Sequence, residues 1–193
     1  ATFSGSNWSI PVTLDDDGAV GIEPCLTIDS NDYLHVTYFD SDNQNLKYMT
    51  TNTANSAWGN AITLEGGGNA GMYSSIAVDS NDNLHVTYMA QPQNQNEYNL
   101  IYKTHNLLGW SNPLTLDNSG NVGWYSSISI DSDDHLHVAY HDYSNGNLEY
   151  ISYDTTAWSS PETLDSTNDV GWYLSTAIDS HDNIHIAYYE GTE

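Results

Sequence analysis

Apolar and polar residues alternate along this chain with a period of two, in short runs separated by Gly, Asn, Asp and Ser. The run Ser75–Asp79 predicts a first strand and Leu84–Tyr88 a second. Asn81–Asn83 between them predicts a turn, because Asn and Asp tolerate left-handed φ and bond their own backbone. Leu148–Tyr153 reads as a third strand and Glu162–Leu164 as a short fourth. No stretch carries the 3.6-residue period of a helix, and the breakers come too often for one.

The strand pattern repeats four times. Asp29, Asp79, Asp131 and Asp179 each open an Asp-Ser-x-Asp turn, and His35, His85, His137 and His185 follow on the next strand. Trp8, Trp58, Trp110 and Trp158 keep the same steps, as do Gly21, Gly71, Gly123 and Gly171. Landmarks in register over units of about fifty residues predict an all-β β-propeller of four four-stranded blades in a single domain, 1–193. The blades fall at about 25–74, 75–126 and 127–174, with the last built from 175–193 plus 1–24. Trp8–Leu14 matches a fourth strand and Ile184–Tyr188 a second, so the last blade is expected to be a composite that closes the ring. An alternative is half of an eight-bladed ring made by two chains. Gln44–Thr50 has no counterpart in the last blade, so its third-strand place is open. Strand addition by another chain would fill it and give a homo-oligomer or filament.

The Ile-Asp-Ser-Asn-Asp-x-Leu-His-Val-x-Tyr copies resemble the sialidase-like, BNR-type repeats of bacterial and archaeal surface propellers, over nearly the whole chain. That resemblance implies the fold. The Gly and Trp of the family's Asp-box are not at their usual offsets here. Sialidases hold the substrate carboxylate with arginines, and this chain has none, so that activity is not carried to any position.

Composition narrows the partners. Acidic residues number 26 against two lysines, a formal net charge of −24, which repels nucleic acid and anionic membranes. No apolar run is long enough to span a membrane. The chain opens at Ala1 without methionine, which fits a leader already removed and predicts an extracellular or cell-surface location. Cys25 is the single cysteine and stands where other copies have serine, as a small packing residue.

Two residue sets converge on one rim, where the strand-two to strand-three loops meet the connections between blades. The first is Tyr73, Trp124, Tyr125, Trp172 and Tyr173, whose faces suit sugar rings. The second is Asp40, His141 and Asp142, which add polar groups for a hydroxyl-rich ligand or a Ca²⁺ ion. No other cofactor is expected. On the opposite rim the paired aspartates read as turn formers, and the repeated histidines as packing groups. No carboxylate pair or activated nucleophile stands out from the repeat, so no catalytic residue is assigned. The expected function is a non-enzymatic extracellular binding or adhesion module that recognises a glycan. A structural subunit completed by strand addition is the alternative, and a glycoside-active enzyme ranks third.

Overall fold

The computed structural model describes residues 1–52 and 57–191; residues 192–193, counted above into the last blade, lie outside them. A short hairpin pairs β1 (Phe3–Ser4) with β2 (Asn7–Trp8). A four-stranded antiparallel sheet follows, β3 (Ile22–Ile28), β4 (Leu34–Asp40), β5 (Asn45–Thr50) and β6 (Ile62–Glu65). The second sheet is β7 (Met72–Val78), β8 (Leu84–Ala90) and β9 (Asn99–Asn106), with β10 (Gly109–Trp110) and β11 (Leu114–Asp117) both paired to β9. The third runs β12 (Trp124–Ile130), β13 (Leu136–Asp142), β14 (Asn147–Tyr153) and β15 (Glu162–Asp165). The last is two-stranded, β16 (Asp169–Ile178) against β17 (Ile184–Gly191). The architecture is all-β, built from antiparallel sheets that resemble propeller blades, and the strand order expected from the sequence holds within the first three.

The core lies between sheets. Leu46, Tyr48 and Leu64 of the first sheet pack with Ile76, Val86, Tyr88 and Ile101 of the second. Leu100 and Tyr102 of the second pack with Ile128, Val138, Tyr140 and Ile151 of the third. Ala139 and Leu148 meet Val170 and Leu174 of the last. The second strand of a blade has a strand on each side and a neighbouring blade on its face, so β8 is buried along its whole length. Side chains such as Leu46 and Tyr88, fully enclosed, each stabilise the fold by roughly 2 kcal/mol. Two of the repeated tryptophans bridge blades: Trp110 stands edge-on to Tyr48 at 5.1 Å and Trp158 to Tyr102 at 5.0 Å.

The turn aspartates do two jobs. The first of each pair closes its own turn: Asp79 Oδ1 accepts the N–H groups of Asn81 and Asn83, while its Oδ2 receives Nε2 of His85 at 3.2 Å. The second ties blades together. Asp82 accepts Ser30 N–H and hydroxyl, Asp134 those of Ser80, and Asp182 those of Ser132. Asp32, Asp82, Asp134 and Asp182 all sit at φ near +60°, which aspartate tolerates; the last three aim their carboxylates at the preceding blade's turn.

The composite last blade is not formed among the described residues. Strands β1 and β2 pair with each other, and β16–β17 stays two-stranded. A fourth strand bonds to the third of its blade, as β15 does to β14. No third strand stands beside β17 among the described residues, so residues 10–14 have nothing to pair on there. Ile10 and Val12 are exposed as a result.

Candidate ligand-binding face

Each inner strand begins with a bulge. Pairing slips between Ile22 and Cys25, Met72 and Ser75, Trp124 and Ser127, and Trp172 and Ser175. The extra residue is left-handed in every copy: Glu23 (φ 51°), Tyr73 (53°), Tyr125 (54°) and Tyr173 (50°). Bulky residues seldom hold that conformation, and a bulge re-aims the side chains on either side of it. Neighbouring blades pin it. Tyr73 N–H donates to Glu23 Oε2 at 2.6 Å, and Ser126 Oγ donates to the Tyr73 carbonyl at 3.0 Å.

The bulges place three tyrosines in a ladder. Ring centroids are 4.2 Å apart for Tyr73 and Tyr125 and 4.6 Å for Tyr125 and Tyr173. Burial holds the Tyr125 hydroxyl well above the usual phenol range, reinforced by hydrogen bonding to Tyr73 and Tyr173, so it stays a neutral donor. Burial likewise raises the Glu23 carboxyl, and the Tyr73 N–H acts against it. Glu23, Tyr73, Ser75, Tyr125, Ser127 and Tyr173 line an open depression of about 380 Å³. Tyr173 is 70% exposed at its edge.

Tryptophans stand on the other side of each bulge. Trp124 lies 5.5 Å from Tyr73, stacks on Tyr143 at 5.0 Å and meets Tyr98 edge-on. Trp172 lies 5.6 Å from Tyr125 and 4.8 Å from His141. Both are half-buried, and among the described residues neither indole N–H has a partner. The five aromatic residues singled out from the sequence therefore come together in one surface cluster, joined by Tyr98, Tyr143 and Tyr189. Tyr98 and Tyr143 sit in loops of unequal length, outside the repeat pattern, and no periodic signal points to them.

Of the polar set, His141 touches the aromatic cluster, while Asp40 and Asp142 are turned into their own loops. His141 is fully buried; its Nδ1 donates to the Val170 carbonyl at 2.7 Å, and its ring supports Trp172 from below. Asp40 accepts the N–H and Nδ2 of Asn43. Asp142 accepts Ser144 and Asn145 N–H groups and Asn145 Nδ2. Both carboxylates are buried and engaged in shaping their own loops. Among the described residues, no group of three or more His, Cys, Asp or Glu side chains is arranged to hold a metal ion. Three of the repeated histidines are held inside their blades, His35, His85 and His137 each between a tyrosine hydroxyl and a turn aspartate, while the exposed His185 reaches Asp179. Ser75 and Ser127 accept backbone N–H groups of the next blade, and Cys25 takes that place in the first.

The sequence matches no family profile and no curated protein. The fold does find relatives. An ulvan lyase of polysaccharide lyase family PL25 superposes with a TM-score of 0.58 at 15% identity, over 86% of this chain and 50% of that one. The intramolecular trans-sialidase of leech gives 0.57 at 15%, over 88% and 27%. An endo-arabinase from Bacteroides thetaiotaomicron gives 0.55 at 14%, over 86% and 68%. This chain thus spans half of the lyase and about a quarter of the trans-sialidase. At identities this low the likeness is one of fold, and it bears out the resemblance to sialidase-like propellers at that level.

Proposed function

We propose that this protein is a carbohydrate-binding module, non-enzymatic and extracellular, and that its ligand lies across the tyrosine ladder. The ladder itself carries the reading. Three left-handed tyrosines are offered on one rim beside two tryptophans. The bulge does not require aromatic rings, since Glu23 adopts the same backbone without one. Flat faces with hydroxyl tips suit the apolar face and hydroxyl edge of a sugar ring.

The ligand is a neutral glycan. Both lysines are committed elsewhere: Lys103 Nζ donates to the Leu64 carbonyl and reaches Glu65, and Lys47 lies 3.8 Å from Asp40. With no arginine and a net charge of −24, no cation stands ready for a uronate or sialate. Affinity electrophoresis through gels cast with neutral or anionic polysaccharides tests this. Retardation by at least one neutral polysaccharide is expected. Free migration in all of them, or retardation by polyanions alone, overturns the reading.

A further inference from the structure

One blade-to-blade contact recurs three times. Ser30 gives its N–H and hydroxyl to Asp82 at 2.9 and 2.7 Å, Ser80 to Asp134 at 2.8 and 2.5 Å, and Ser132 to Asp182 at 3.0 and 2.7 Å. A fourth pair is present in halves. Asp32 on the first blade is the counterpart of Asp82, and Ser180 on the last is the counterpart of Ser30. Among the described residues, no neighbouring blade meets either: the Ser180 hydroxyl reaches only the adjacent His181, at 3.5 Å.

The apolar layer is divided in the same way. Ile76 and Ile128, each facing the preceding blade, are 5% and 6% exposed, while their counterpart Leu26 is 60% exposed. A methyl built on Gly71 would stand 2.6 Å from Leu46 of the blade before it, whereas one on Gly21 meets nothing within 4 Å among the described residues. On the other flank, Ser175 matches Ser75 and Ser127, which accept the N–H groups of Ile128 and Thr176 across their blade junctions. The equivalent N–H for Ser175 belongs to Leu26. The place before the first blade is also prepared. Asp15 accepts the Tyr38 hydroxyl at 2.6 Å, as Asp117 accepts that of Tyr140.

We propose that β16–β17 of one copy docks head to tail on β3 of a second copy. Ser180 gives its N–H and hydroxyl to Asp32 of the second copy, and Leu26 and Ile28 are covered. The occupant is another copy because this chain carries both halves of the contact, on opposite flanks, with the residue types its own three junctions use. The contact is heterologous, so each docked copy leaves one free half of each kind until a ring closes. Two chains of this charge repel, but at about 0.15 M salt the screening length is only about 8 Å, and the junction pairs one carboxylate with neutral donors. The proposal is independent of the sugar-binding reading.

Sedimentation of the 193-residue chain at moderate salt and rising concentration is the test, with two exposed-site variants. Leu26→Asp spoils one flank, and Ser180→Asp sets a carboxylate against Asp32 on the other. The unmodified chain is expected to form particles of integer multiples of its mass, and each variant alone to stay monomeric. An equimolar mixture of the two should give dimers and nothing larger, because one good flank of each kind remains. A chain that is monomeric throughout, an oligomer that survives either substitution, or a mixture without dimers overturns the proposal. Circular dichroism of each variant confirms that folding is retained.

Discussion

The rings of Tyr73 and Tyr125 stand 4.2 Å apart although they belong to different blades, and both backbones are left-handed. At Tyr73 the bulge is held by side chains of the neighbouring blades bonding its main chain, so the backbone there does not depend on the ring. Replacing Tyr125 by Ala is expected to weaken sugar binding about tenfold, the loss of roughly 1.4 kcal/mol of stacking. The melting temperature should fall only slightly. A large drop in stability with unchanged affinity would make the ladder a packing device instead.

Asp134 and Asp133 are adjacent and both acidic, yet the structure gives them different work. Asp134 accepts the N–H and hydroxyl of Ser80 on the preceding blade, and Asp133 offers only its N–H to Asp131. Asp134→Ala should cost roughly 1–2 kcal/mol, and Asp133→Ala less than about 0.5 kcal/mol. Urea melts of the two variants settle the comparison. Equal effects would remove the inter-blade role.

His85 sits between Tyr102 and Asp79, with Nδ1 2.6 Å from the hydroxyl and Nε2 3.2 Å from the carboxylate. Burial holds the imidazole below its ordinary value of 6.5, although Asp79 pulls it upward. A folded pKa below the unfolded one favours the neutral ring. Its contribution is fully present above pH 6.5 and is lost as pH falls through the folded value. At neutral pH a His85→Gln variant is expected to be less stable by about 1–2 kcal/mol. That deficit should shrink as pH drops below 6.5. Parallel stability curves for the two proteins would contradict it.

Gly71 and Gly21 hold matching places in the repeat, and both have positive φ. Only Gly71 has the preceding blade's backbone against it. Gly71→Ala should therefore cost about 3 kcal/mol from strain plus overlap, and Gly21→Ala about 1 kcal/mol from strain alone. Thermal unfolding of both distinguishes them, and equal losses would mean the close approach to Leu46 is not what selects glycine.

Much of this was legible in the sequence because the blade repeats. The alternation around Ile76 and Val86 gave the strands, and the Asp-Ser-Asn-Asp copies gave the turns. The aromatic rim followed from which loops share an end of the blade. Long-range pairing was less visible. Nothing local in Ser30 or Asp82 shows that they bond to each other across fifty-two positions. The left-handed tyrosines are equally hidden, since Tyr itself signals no such backbone. Asp40 and Asp142 look like free loop carboxylates in the sequence, but their loops are short enough to fold back on them. The composite blade was expected because a fourth-strand pattern exists at Trp8–Leu14; a pattern cannot pair without the strand that should lie beside it.

The most direct test of the binding face is isothermal titration of the neutral oligosaccharide whose parent polysaccharide retards the protein, against wild type and a Trp124→Ala/Trp172→Ala double variant. The account predicts saturable heat with wild type and none with the variant, while the variant keeps its β-sheet circular dichroism and a cooperative melt. A folded variant that binds as wild type does, or one that unfolds because the two rings were core, would contradict it.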